Sequence, residues 1–278
     1  MVPHDYPSSV IAAGYATHTV HRQHPGDPVR IEPDELAMEV PVVLEYNGLS
    51  HATVLATPHD LDDFARGFSL TEGIVRSVDD IYAIDMSERD NGMVMQLTIA
   101  SSCLHGLRIR RRSLAGRTGC GLCGIESLDD VQRDLPALPE RSGFLNSSSI
   151  AMALESMDGK QPLRRRTGAT HAAAWATLEG ELLIVREDVG RHNAVDKVVG
   201  QLHQAGLDPA QGFVVVSSRA SFEIVQKTAA AGVSAVVAVS APTSFAVRMA
   251  TDLNIMLAGF ARGNGFTVYA HPDYLATS

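Results

Sequence analysis

The 278-residue chain exceeds the length, about 250 residues, at which one hydrophobic core usually stops growing, so length alone predicts two structural units. Hydrophobic residues at 45% and charged residues at 20% fit an ordinary folded protein and exclude global disorder. A net charge of -9, from 23 basic and 32 acidic residues, excludes a general affinity for nucleic acid or an anionic membrane. Residues 1–33 set His18, His21 and His24 among Pro, Gly and Ser without periodicity, and are expected to be a flexible tail with solvated histidines. Val40, Val42, Val43 and Leu44, then His51 to Ala56, flank Asn47-Gly48, the turn pair of a β-hairpin. Asp60 is a candidate N-cap for a helix from Leu61 to Leu70 with Leu61, Phe64, Ala65 and Phe68 on one face. Strands are predicted from Ile81 to Met86 and Met93 to Ile99, and an arginine-rich strand from Leu107 to Arg112. A Gly-rich loop around Cys120 and Cys123 and a Pro-containing linker from Leu135 to Ser142 close this α+β domain, placed at 34–142.

Over 143–278 the pattern changes. Ser147 or Ser148 can cap a helix ending near Asp158-Gly159, and strands from His171 to Leu178 and Glu181 to Arg186 meet at Glu179-Gly180. Helices at 190–204, 220–231 and 244–254 then alternate with strands at 213–217, 235–239 and 256–260, which predicts an α/β fold with a mostly parallel sheet. The order is similar to that of the three-layer cytidine deaminase fold. A deaminase needs His-x-Glu and Pro-Cys-x-x-Cys at two successive helix starts. Here Ala194 stands at the glutamate position and Ser217-Ser218-Arg219-Ala220-Ser221 has no cysteine, so zinc hydrolysis of a base is not supported. Helix starts near strand ends still favour anions, with Ser217, Ser218, Arg219 and Ser221 as donors. Phe260, Ala261, Arg262, Gly263, Asn264 and Gly265 follow a predicted strand and suit a phosphate or nucleotide contact, because the glycines admit close backbone approach and Arg262 offers a forked donor. The bland alternatives are a strand-to-strand turn at Gly263-Asn264-Gly265 and a capping or core contact for His192.

Cys120 and Cys123 can share a metal, form a redox disulfide or present a thiolate. Three cysteines cannot all pair, and no apolar run reaches about 18 residues, so a cytoplasmic, reduced protein with no membrane partner is expected. A structural zinc site would need Cys103 and His105 as further ligands, but these form no second pair of ordinary spacing. Thioredoxin-like chemistry expects the motif at a helix start, not among Gly116, Gly119, Gly121 and Gly124. Arg117 and the arginines at 108 and 110–112 favour a thiolate, which can take sulfur from a persulfide and pass it on.

Four blocks carry a resemblance to a known family: Arg117-Thr118-Gly119-Cys120-Gly121-Leu122-Cys123-Gly124, Thr170-His171-Ala172-Ala173, the run from Arg186 through Lys197, and Ser217-Ser218-Arg219. They resemble the accessory sulfurtransferases of formate dehydrogenase, the FdhD family. The resemblance implies a homodimer that takes persulfide sulfur from a cysteine desulfurase and transfers it to the molybdenum cofactor before formate dehydrogenase receives it. It places the catalytic persulfide on the cysteine pair, with Cys120 favoured and Cys123 supporting it. It also implies that Phe260 through Gly265 contact the bis(molybdopterin guanine dinucleotide) form of the cofactor, bound as cargo, with no intrinsic metal. The competing readings are a non-catalytic cofactor chaperone and a zinc-stabilised nucleotide-binding module.

Overall fold

A computed structural model describes residues 13–114, 133–263 and 265–276, with side chains of 108–114 left undescribed. Its first element is not a tail. β1 (Tyr15–Arg22) and β2 (Arg30–Ala37) pair antiparallel from Tyr15↔Ala37 to Arg22↔Arg30, around a turn in which Asp27 N donates to His24 O at 3.0 Å. Arg22 bridges to Glu32 and Asp34 across the ladder, and Arg166 donates to Glu35 at 3.0 Å. Period-two polar and β-branched residues plus these ion pairs give order where sequence composition predicted a flexible segment. His18, His21 and His24 are exposed on it.

β3 (Val40–Tyr46), β4 (Leu49–Ala56), β5 (Ile81–Arg89) and β6 (Gly92–Ile99) form a sheet of order β4-β3-β6-β5, antiparallel except for β3 with β6. Asn47 (φ 48°) and Gly48 (φ 79°) make the predicted two-residue turn. The Asn47 side chain exchanges two hydrogen bonds with the Ile99 backbone, at 3.0 and 2.7 Å, fixing the turn to the end of β6. Helix α1 (Leu61–Thr71) buries Leu61, Phe64 and Ala65, with Phe68 partly buried on the same face, in the core it shares with this sheet. Asp60 lies in the left-handed region at φ 52° and makes no side-chain cap.

α2 (Ser101–Leu114) replaces the expected strand at 107–112. Cys103 and Leu107 are buried four residues apart, a helical spacing, so one face of the segment enters the core. The stretch read as a linker is pinned: Leu138 N donates to Leu253 O at 3.1 Å, Asn254 Nδ2 donates to Leu138 O at 2.9 Å, and Leu135 and Leu138 pack on the core.

The second sheet runs β12-β11-β10-β9-β7-β8, built from β7 (His171–Thr177), β8 (Leu182–Asp188), β9 (Gly212–Val216), β10 (Ala235–Ala238), β11 (Met256–Arg262) and β12 (Gly265–Ala270). Parallel pairing holds for β9, β10 and β11, whereas β7, β8 and β12 pair antiparallel, so the sheet is mixed rather than mostly parallel. Ala172, Ala174, Phe213, Val215, Val237 and Met256 meet α3 (Ser147–Gly159) on one face. Ala173, Trp175, Val214, Val216 and Val236 meet α5 (Arg191–Gln204), α6 (Phe222–Ala230) and α7 (Ser244–Asp252) on the other. This is the three-layer arrangement, and α4 (Pro162–Thr167) closes its β8 side.

One apolar cluster crosses the boundary expected near residue 142, joining Phe64, Leu97 and Ile99 to Val195, Val198 and Val199. α1 and α5 touch backbone to backbone where Gly67 faces Asp196 and Gly200 faces Asp63; a Cβ on Gly67 would lie 1.7 Å from Asp196 O, and one on Gly200 1.9 Å from Asp63 O.

Candidate functional site

The block from Arg186 to Lys197 divides into a buried lock and a polar surface cluster. Asp188, at the end of β8, accepts from Thr57 N (3.0 Å), Gly190 N (2.8 Å) and Asn193 Nδ2 (3.0 Å), and pairs with Lys197 Nζ at 2.7 Å. Lys197 also donates to Thr57 O at 3.0 Å, and Thr57 Oγ1 accepts from Val189 N at 3.1 Å. Asp188 and Lys197 are fully buried, so every donor and acceptor needs its partner, and the loop after β4 is tied to the start of α5. A second lock uses the adjacent residue of α5. Asp196 accepts from Thr71 Oγ1 at 2.6 Å and from Lys227 Nζ at 2.9 Å, and Lys227 reaches Glu72 at 2.8 Å. Desolvation opposes the Lys227 charge, but the Asp196 and Glu72 carboxylates outweigh it and hold the ammonium protonated. Glu187 is structural as well, accepting from Leu163 N and Arg164 N at the start of α4, at 2.9 and 2.7 Å.

The cluster lies at the carboxyl edge of the parallel strands, where the starts of α5 and α6 converge. His192 Nε2 stands 3.1 Å from Glu223 Oε2, and Ser221 Oγ donates to the same oxygen at 2.8 Å. These bonds hold the Glu223 carboxyl down at about 2, the His192 contact first, against the desolvation that would raise it. An ionised carboxylate cannot donate, so the proton of this pair sits on Nε2. Burial pushes the His171 imidazole below its usual value, and the charges of Arg191, Arg164, His192 and Arg219 add to the effect. Three guanidiniums and two imidazoles therefore lie close together at this edge, with the Glu223 carboxylate paired to one of the imidazoles. His171 Nδ1 and Arg191 Nε are buried there with no hydrogen-bond partner. The serines serve local structure: Ser217 Oγ accepts from Ala172 N at 2.9 Å, and Ser218 Oγ donates to Arg219 O at 3.0 Å. Of the predicted set, Arg219 is the exposed member.

Phe260, Ala261 and Arg262 end β11 and Gly265 opens β12, with Arg262 paired to Gly265, so the strand-to-strand turn is what this segment forms. Asn264 lies outside the described residues. Ala261 is buried, Arg262 and Gly265 are exposed, and Gly263 has φ 55°. Phe260 is 56% exposed at φ 52°, a conformation that strains a bulky residue. Its N–H donates to Ser240 O at 3.1 Å, and Ser240 N donates to Ser218 O at 3.4 Å. The ends of β9, β10 and β11 are thereby laced together, which brings Arg219 and Phe260 to the same edge.

Cys120 and Cys123 lie outside the described residues. The described chain leaves at Leu114 and returns at Arg133, whose N–H donates to Gln226 Oε1 at 2.8 Å and whose guanidinium donates to Thr71 O. Gln226 and Glu223 are three residues apart on α6 and share a face. Cys103 is buried and His105 exposed on α2; residues two apart on a helix face opposite sides, so they do not converge as zinc ligands. Among the described residues no group of three or more His, Cys, Asp or Glu could hold a metal ion, and no helix is long and apolar enough to cross a membrane. Sequence reasoning missed Glu223, Arg164 and the grouping of His171 with Arg191. Glu223 had one local signal, its place two residues after Ser221 at a helix start; its link to His192 spans 31 residues.

A sequence profile described as the FdhD/NarQ family matches residues 37–276. The chain is 52% identical over 261 residues to a protein of Cupriavidus necator named sulfur carrier protein FdhD, covering 94% of this chain and 90% of that one. Proteins of the same name from Bordetella bronchiseptica and Variovorax paradoxus are each 51% identical, covering 87% and 86% of this chain and 88% and 86% of theirs. A crystal structure from Desulfotalea psychrophila, described as that of a formate dehydrogenase accessory protein, superposes with a TM-score of 0.72 at 20% identity, covering 94% of this chain and 99% of that one. That likeness shows a shared fold.

Proposed function

Because the chain belongs to the FdhD/NarQ family, we propose that it is a sulfur carrier serving formate dehydrogenase, with a persulfide on Cys120 as the carried form. The observation that carries this reading is the half-identical match, over nearly the full length, to proteins named for sulfur carriage, joined to the Cys120-Gly121-Leu122-Cys123 motif. In the loading step the Cys120 thiolate attacks the outer sulfur of a cysteine desulfurase persulfide. The donor S–S bond breaks, the desulfurase leaves as a thiolate, and Cys120 holds S–S⁻. In discharge, Cys123 attacks the inner sulfur of Cys120; a Cys120–Cys123 disulfide forms and the outer sulfur departs as hydrosulfide. Cys123 is oxidised, the departing sulfur is reduced, and a thiol reductant resets the pair.

The acceptor in this reading is the molybdenum cofactor in its bis(molybdopterin guanine dinucleotide) form, held as cargo. The cationic edge suits its phosphates: Arg219 and Arg191 offer donors, and the exposed Phe260 ring offers a stacking face for guanine. The protein works in the cytoplasm as a homodimer between desulfurase and formate dehydrogenase. Mass spectrometry after incubation with desulfurase and cysteine should show a gain of about 32 Da, one sulfur atom, that disappears on Cys120→Ala. If the Cys120→Ala/Cys123→Ala protein still yields fully active formate dehydrogenase in cells, the protein is a chaperone and carries no sulfur.

A further inference from the structure

We propose that His171 and Arg191 form an oxyanion receptor for a phosphate group at the cationic edge, and that the His171 imidazole takes up a proton as the anion arrives. The inference rests on the reading that this edge holds the cargo's phosphates, and adds to it the residue that couples binding to pH. His171 Nδ1 and Arg191 Nε are both buried there without a hydrogen-bond partner. Buried polar nitrogens left unpaired are costly, and a phosphate, with several acceptor oxygens, supplies what each lacks.

The fold gathers three guanidiniums around this imidazole. His171 opens β7 opposite Asp188 at the end of β8, and Arg191 starts α5 three residues after Asp188. Ser217 N donates to Ala172 O and Ala172 N donates to Ser217 Oγ, both at 2.9 Å, so Arg219 follows two residues after a clasp beside His171. Arg164 donates to Thr170 O, one residue before His171, at 3.3 Å. The nearby carboxylates are already engaged: Asp188 with Lys197, Glu187 with Leu163 N, Arg164 N and Thr170 Oγ1, and Glu223 with His192 and Ser221. Among the described residues none makes an ion pair with the Arg164, Arg191 or Arg219 guanidinium. Burial and then these charges, with His192, hold the His171 imidazole below its usual value, so the protein alone carries it neutral. A phosphate dianion cancels the repulsion and accepts from the imidazolium, so the ring titrates higher in the bound state than in the free one. Affinity is therefore flat at alkaline pH, where the ring is neutral in both states. It rises as pH falls through the bound-state value and levels off below the free-state value.

The test follows inorganic sulfate and guanosine diphosphate binding to the full-length protein by calorimetry between about pH 5 and 8. Sulfate keeps its charge over that range, so any pH dependence belongs to the protein. Sulfate should bind about tenfold tighter at the acid end, and guanosine diphosphate should displace it. Proton uptake is counted on the wild type from the binding enthalpy in two buffers. By nuclear magnetic resonance, the His171 ring signal, assigned by its loss in His171→Gln, should shift its titration midpoint to higher pH on saturation with either anion. His171→Gln keeps a neutral donor and should bind sulfate as the wild type does at the alkaline end, but lose the gain in acid. Arg191→Ala should weaken binding at every pH. Anion binding without proton uptake, or with an unmoved His171 midpoint, overturns the proposal and leaves the cargo contact standing. So does a folded His171→Gln protein that keeps the wild-type pH dependence. Bound sulfate that guanosine diphosphate does not displace also overturns it, because the receptor then serves free anions. If neither anion binds the wild type, the cargo contact at this edge falls and takes this inference with it.

Discussion

Replacing Gly67 with alanine tests whether the two halves are held by direct backbone contact. The added Cβ would sit 1.7 Å from Asp196 O and 2.8 Å from Gly200 N, whereas ordinary contact begins at 3.4 Å, so α5 must withdraw by about 1.7 Å. It cannot do so alone. Asp196 is tied through Lys227 to Glu72 and Thr71, and Lys197, on the next residue, is tied to Asp188 and Thr57. Overpacking a rigid contact costs about 1–3 kcal/mol, and stretching a buried ion-pair network adds to it. The gain in helix propensity from glycine to alanine offsets about 1 kcal/mol. We expect a net loss of about 2–3 kcal/mol, which in a chain of this size lowers Tm by roughly 4–12 °C. Gly106→Ala on α2 is the control, since its Cβ would meet nothing within 4 Å; it should raise stability by about 0.5–1 kcal/mol. Thermal unfolding of both variants by circular dichroism at one scan rate decides the matter. If Gly67→Ala melts with the wild type while Gly106→Ala gains stability, the helices do not touch as described.

Other consequences follow from the same geometry. Lys227→Met strands Asp196 in the core and should cost about 3–5 kcal/mol, while Lys227→Met combined with Asp196→Leu should recover much of that, measured by urea unfolding in a double-mutant cycle. Phe260→Gly relieves a left-handed backbone at a bulky residue and should be stabilised by roughly 1 kcal/mol, yet bind guanosine diphosphate more weakly by calorimetry if the proposed cargo contact is right; equal or tighter binding removes the aromatic ring from that contact. Glu223 is lowered from 4.5 to about 2 on folding, so it contributes stability above 4.5 that disappears as pH falls through about 2. Acid titrations should show Glu223→Gln less stable than wild type near neutrality and the two converging toward pH 2.

Local rules made much of the fold legible. Asn47-Gly48 announced its hairpin, and the valine runs at 214–216 and 236–237 announced strands covered on both faces. Errors came where polar residues hid a period. Arg108 to Arg112 drew attention away from Cys103 and Leu107, whose spacing is helical. β12 was absent from the sequence reading although Phe266, Val268 and Ala270 alternate inward with exposed Thr267 and Tyr269. At the site, the motif from Asp188 to Lys197 was visible as a block, but its partners Thr57, Glu72 and Lys227 belong to distant segments. No local pattern encodes such pairings, because each side chain's role is set by what tertiary packing brings opposite it.

The glycine crossing between α1 and α5 also limits how the molecule can be rearranged. Neither half owns a finished surface at that seam: each leaves open backbone that only the other covers. Chimeras that join the amino-terminal half of one relative to the carboxy-terminal half of another will fold only if both donors kept glycine at the crossing and matched charges beneath it. The two halves are therefore inherited as one unit, and a protease cut in the segment between Leu114 and Arg133 would leave two fragments still clasped together.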